Sequence, residues 1–168
     1  MRKSVILFIL LSVISLISCE KNEGKEFISD SSFHAIKNEN EWISTCSWAN
    51  YSVTDKSFVI VGSKRNSGYY QDEKLHFTFK TSDISKSNTV TNFYAEWNFI
   101  VGGDAISDTY SIDSTYNNLL TINLLDTKNK VISGTFIIKL IRDKFRSDLG
   151  ETMLYKNGTF KLKYKDIE

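Results

Sequence analysis

From Phe33 onward the apolar and polar residues alternate with a period of two, and no longer helical period is visible. This pattern constrains the fold more than any other feature. Successive side chains of a strand point to opposite faces, so a strand with one buried face must alternate. Glu73–Lys80 is the clearest case: Leu75, Phe77 and Phe79 share one face, and Lys74, His76, Thr78 and Lys80 share the other. In Phe93–Val101, Phe93, Ala95, Trp97, Phe99 and Val101 oppose Tyr94, Glu96, Asn98 and Ile100. Asn118–Leu125 aligns Leu120, Ile122 and Leu124, and Thr159–Tyr164 aligns Phe160, Leu162 and Tyr164. Val131–Ile141 is apolar on both faces, which predicts a central strand. Weaker strands are predicted over Phe33–Lys37, Trp42–Trp48, Ser57–Ser63, Asp108–Ile112 and Glu151–Lys156.

The connections carry turn chemistry. Asp126-Thr-Lys-Asn-Lys130 joins two strong strands over five polar residues and reads as a hairpin. Asn157-Gly158 interrupts the last strand as a turn or a bulge. Gly102–Ser107 and Arg142–Gly150 read as loops, and Thr81–Ser87 as one helical turn. The 11 Phe, 8 Tyr and 3 Trp, with no proline, favour packed strands over a disordered chain. The expected fold is all-β: an antiparallel β-sandwich or barrel of nine or ten short strands, in a single domain spanning 33–168. Within it, Trp97 and Phe136 are predicted to be core residues.

The N-terminus has a different character. Arg2 and Lys3 precede an apolar stretch from Val5 to Ile17, which is broken by Ser12 and Ser15 and ends in Leu16-Ile17-Ser18-Cys19. A membrane-spanning helix needs about 20 apolar residues, so a shorter run behind a basic start reads as a signal peptide. The four residues resemble a lipobox, which assigns 1–18 to a lipoprotein signal peptide and makes Cys19 the lipidated N-terminus of the mature chain. Residues 19–32 then form the lipidated cysteine and a polar, flexible tether. Two or more acyl chains give stable anchoring at roughly 0.8 kcal/mol per buried CH₂. The implied partner is a membrane, reached through the N-terminal lipid, and the implied location is the outer membrane of the cell envelope.

Removing Arg2 and Lys3 leaves 19 basic residues against 20 acidic ones. A nucleic-acid-binding role is excluded by this balance, because such proteins need a basic bias. With Cys19 taken up by lipid, Cys46 stands alone, no intramolecular disulfide forms, and Cys46 reads as a small buried hydrophobe.

The strand pair Leu119–Leu125 and Val131–Leu140, with VISGTF at Val131–Phe136, followed by YKNGTFKLKY at Tyr155–Tyr164, resembles small outer-membrane lipoproteins of unknown function found in the Bacteroidota. Phe33-His-Ala-Ile36 and Trp42 fit the opening strand of that group, whereas Asn50–Gly103 matches no pattern in it. The resemblance implies an all-β lipoprotein and carries over no activity and no catalytic residue. In that group a lysine followed by acidic residues after the lipidated cysteine directs surface display. Here Lys21 fits and Asn22 does not, which leaves surface-exposed and periplasm-facing orientations both open.

Candidate sites are few. His34 and His76 read as exposed histidines, and no metal-ligand spacing appears. No nucleophile-elbow or phosphate-loop motif is present, and no cofactor is implied. Asp104, Asp108 and Asp113 read as a solvated loop and edge strand rather than a Ca²⁺ site. Trp42 and Trp48 share strand parity and are expected in the core. Tyr69 and Tyr70, beside Gly68 in a polar stretch, are the residues expected to form a binding surface. The sequence therefore predicts a non-catalytic binding or accessory module, without specifying whether the partner is a protein or a glycan. A carrier of a small apolar ligand inside a barrel is the alternative, and an enzyme using carboxylates is the third reading.

Overall fold

The structure is a computed structural model that describes residues 31–66, 71–103, 105–144 and 148–168. The expected signal peptide, Cys19, most of the tether, and Tyr69 and Tyr70 lie outside the described residues. Ten strands form one mixed sheet: β1 (Ser32–Lys37), β2 (Asn40–Ile43), β3 (Cys46–Ser52), β4 (Ser57–Asn66), β5 (Gln71–Lys80), β6 (Phe93–Val101), β7 (Ala105–Ile112), β8 (Leu119–Asp126), β9 (Val131–Lys144) and β10 (Thr152–Ile167). The only helical element among the described residues is a single 3₁₀ turn, Thr81–Asp83, inside the stretch predicted to make one. The all-β expectation holds.

Two long strands organise the sheet. β9 pairs with β10 from Val131 to Ile141. On its other edge β9 pairs first with β8 and then, further along, with β7. β10 repeats the arrangement, pairing with β1 over its first half and with β3 over its last residues. From β10 the ladder runs through β3, β4, β5, β6 and β7 to β9, which pairs with β10 again, so the circuit is closed. Closure leaves few free edges, which limits unwanted strand pairing. The β10–β3 pair is parallel and the other strand pairs are antiparallel, so the sheet is mixed rather than purely antiparallel. Parity of side chains does not encode the direction of a neighbour.

Two strand assignments change. Thr152–Ile167 is one strand rather than two, because Asn157-Gly158 is a bulge: the register with β9 shifts between Tyr155 and Gly158, and Asn157 takes a left-handed φ of 51°. Conversely, the Trp42–Trp48 segment is two strands. Ser44 and Thr45 break it, with their amides bonded to the carbonyls of Phe33 and Ser63.

The GTF tripeptides at 134–136 and 158–160 have a packing role. They lie antiparallel, with Gly134 opposite Phe160, Thr135 opposite Thr159, and Phe136 opposite Gly158. A Cβ on Gly158 would overlap the Phe136 ring, and one on Gly134 would overlap the Phe160 ring and the Thr121 carbonyl oxygen. Each phenylalanine therefore lies across the bare backbone of the opposite glycine. Phe136 and Phe160 meet Phe33 with ring centroids 5.4 and 6.1 Å away, and Phe77 lies 4.8 Å from Phe136 and 6.0 Å from Phe33. These rings come from β1, β5, β9 and β10 and fill the middle of the interior. Phe136 and Trp97 are buried, as the strand phase predicts.

Candidate functional site

One end of the interior is lined by charge. Here lie the β1–β2 turn, the ends of β6 and β9, and the starts of β5, β7 and β10. Lys37, in phase with Phe33 and Ala35, projects inward and places Nζ 2.6 Å from Glu73 Oε2 on β5. Trp42 Nε1 donates to the same oxygen at 3.0 Å, and Lys37 Nζ sits 4.3 Å from the Trp97 ring centroid. Burial pulls the Lys37 amine below the usual lysine range, against the opposing pull of Glu73. Next to this cluster Arg142 reaches Asp108 at 2.8 Å, with both side chains almost fully buried. Tyr110 donates its hydroxyl to the Gly150 carbonyl. Tyr155 and Trp97 are fully buried, and neither the Tyr155 hydroxyl nor the Trp97 indole N–H has a hydrogen-bond partner. Desolvation drives the Tyr155 phenol well above its ordinary value.

The aspartates correct the sequence reading. Asp108 and Asp113 are buried rather than solvated. Asp108 is paired with Arg142. Asp113 accepts from Thr115 N and Oγ1 and pairs with Lys139 at 3.1 Å. The Thr115 hydrogen bonds and Lys139 hold its carboxyl below the usual range. Each of these carboxylates faces a cation, so they form no carboxylate–carboxylate acid–base pair. Asp104 lies outside the described residues. Among the described residues, no group of three or more His, Cys, Asp or Glu gathers as metal ligands.

Cys46 is also corrected. It is disulfide-bonded rather than alone, and its side chain is half-buried on the outer face. That removes it as a catalytic thiolate.

The outer face of β3–β7 gathers the remaining polar and aromatic groups. Trp42 is buried as expected, but Trp48 is 42% exposed, because the break at Ser44–Thr45 resets the phase between the two strands. Cross-strand register aligns Trp48 with Val61, Val61 with His76, and His76 with Glu96. Tyr94, in the adjoining row and 44% exposed, has its ring 5.8 Å from His76. Glu96 is held on both sides: Tyr94 donates its hydroxyl to Oε2, and Asn98 Nδ2 donates to Oε1 at 2.6 Å. Thr109 Oγ1 in turn donates to Asn98 Oδ1 at 3.1 Å. The carboxylate raises the Tyr94 phenol to about 12. His76 is half-buried rather than fully exposed, and burial lowers its pKa. Alternation alone identifies His76, Tyr94, Glu96 and Asn98 as outward-facing; it places Trp48 in the core instead, and nothing local in the sequence links that residue to β6.

A hollow opens on the outside of β8, β9 and β10, about 310 Å³ in volume and floored at the Asn157-Gly158 bulge. Thr121, Thr135 and Thr159 cross it in register, and Thr159 Oγ1 lies 2.8 Å from Nε2 of the exposed His34. The same scaffold thus offers an ionic interior end and two outer polar faces. No family model matches the chain, and neither the curated proteins nor the solved structures searched contain a match.

Proposed function

We propose that this chain is a lipid-anchored cell-envelope β-domain of the small Bacteroidota lipoprotein kind, acting at the outer membrane as a non-catalytic binding or accessory module. The observation that carries the reading is the filled interior. Rings from four strands meet at 4.8–6.1 Å across the middle of the closed sheet. Buried carboxylates lie against cations rather than against one another. A carrier of apolar ligands needs a cavity, and phenylalanines take that space here. Recognition is then left to the outer faces and to the membrane anchor.

Anchoring and the disulfide bear on each other. The sequence has two cysteines, so a bridge within one chain uses both sulfurs and excludes a lipid thioether at Cys19. Intact-mass spectrometry of the protein extracted from its native membrane decides between them. A diacylglyceryl mass on a chain beginning at Cys19 supports the anchor; an unlipidated chain lacking two hydrogens overturns it. Co-purification from the same extract tests the module reading, which fails if nothing accompanies the protein in stoichiometric amount.

A further inference from the structure

The outer face of β3–β6 carries two large aromatic rings that burial does not explain. Trp48 and Tyr94 are each more than two-fifths exposed, on strands whose buried faces are already filled by Ala49, Phe58, Ile60, Phe77, Ala95 and Trp97. Tyr94 lies against half-buried His76, buried Val61 stands between His76 and Trp48 in the same cross-strand row, and Glu96 and Asn98 lie beside Tyr94 in fixed orientation. Three strand spacings of roughly 4.8 Å, with a two-residue offset along β6, put the two aromatics about 16 Å apart.

We propose that this face binds a neutral oligosaccharide, with Trp48 and Tyr94 stacking on sugar rings, His76 meeting hydroxyls between them, and Glu96 and Asn98 meeting hydroxyls along β6 beside Tyr94. The proposal rests on the binding-module reading and names its ligand class. An aromatic face is electron-rich and attracts the polarised C–H bonds on the flat side of a pyranose. A hydroxyl both donates and accepts, so it is best met by a mixed set of groups. This face supplies carboxylate acceptors on Glu96, amide donors on Asn98, an ammonium on Lys74, and an imidazole on His76 that burial keeps uncharged near neutrality. The network of Thr109, Asn98, Glu96 and Tyr94 holds these groups in place beforehand, which lowers the ordering cost of binding. Other ligand classes fit less well. The Glu96 carboxylate beside Tyr94 repels polyanions. Strand addition by a peptide needs a long open edge, whereas β5 is paired along both edges, β3 meets β10 over Ala49–Ser52, and β6 meets β7 over Glu96–Val101, which leaves only short stretches of edge.

The test is affinity electrophoresis of the mature chain in native gels cast with soluble β-glucan, xylan or mannan, followed by calorimetric titration with the matching hexasaccharide. At least one polysaccharide is expected to retard the protein. Trp48→Ala and Tyr94→Ala should each weaken hexasaccharide binding more than tenfold while melting within a few degrees of the parent. Leu124→Ala, exposed on β8 away from this face, should bind as the parent does. Lack of retardation in all three gels overturns the proposal, as does undiminished affinity in both aromatic variants. If the gels fail while a protein still co-purifies, the glycan claim falls and the module reading stands. If the gels fail and nothing co-purifies, both fall.

Discussion

The interior of this domain is filled in two different ways, and the contrast separates what folds the chain from what is free to act. In the middle, Phe33, Phe77, Phe136 and Phe160 pack ring on ring, and Gly134 and Gly158 give two of them backbone to lie on. At one end the inward positions of β1, β5, β7 and β9 carry Lys37, Glu73, Asp108 and Arg142 in two ion pairs. Apolar packing tolerates few changes of volume, because interiors are as dense as organic crystals. An ion pair taken out of water contributes little net stability, yet removing one partner exposes the full desolvation cost of the other. The middle should therefore not recover what a removed ring costs, whereas the ionic end should recover when both partners of a pair become apolar.

The largest effect is expected at Gly134. A Cβ there meets the Thr121 carbonyl, which belongs to the β8–β9 ladder and cannot rotate away. Gly134→Ala should destabilise by more than about 4 kcal/mol, and loss of a cooperative thermal transition is the readout. Phe136→Ala leaves a hole among Phe33, Phe77 and Gly158 and should cost about 3–5 kcal/mol in urea unfolding. Adding Gly158→Ala to Phe136→Ala should then be tolerated, because the ring that a Cβ would strike is gone.

The ionic end should behave otherwise. Glu73→Ala removes hydrogen bonds from Lys37 and Trp42 and should cost about 2–3 kcal/mol. The double change Lys37→Met/Glu73→Leu should recover most of that loss. A double variant no better than Glu73→Ala would show that the pair contributes more than its desolvation removes.

The smallest effect concerns pH. Burial lowers the folded pKa of His76 below the 6.5 of an unfolded chain. As pH falls from about 6.5 through the folded pKa, the unfolded state takes up a proton that the native state does not, so stability declines over that window. His76→Gln should flatten this part of the melting-temperature profile. A profile unchanged by the substitution would assign the decline to another group.

Much of the middle was legible in the sequence, and little of the end was. Period-two alternation identifies Leu75, Phe77, Trp97 and Phe136 as inward-facing, because parity is a local property of a strand. Parity fails where a strand ends unseen. Trp42 and Trp48 are six residues apart and seem to share a face, but the turn at Ser44–Thr45 sends one into the core and leaves the other on the surface. The bulge at Asn157 does the reverse, keeping Phe160 inward and merging two predicted strands into β10. Asp108 looks solvated because its partner Arg142 is 34 residues away on another strand. The pairing of Trp48 with the Glu96 row depends on register across four strands, which no local pattern specifies.

The central claim is that the interior is filled and that recognition belongs to the outside. Titrating the purified protein with a fluorescent fatty acid tests it most directly. The account predicts no saturable binding by the parent protein, and the appearance of a site only when Phe136→Ala opens the middle of the interior. Saturable binding of the probe to the parent, displaced by unlabelled fatty acid and abolished by a bulkier residue at Ala95 or Ile138, would contradict it and restore the carrier reading.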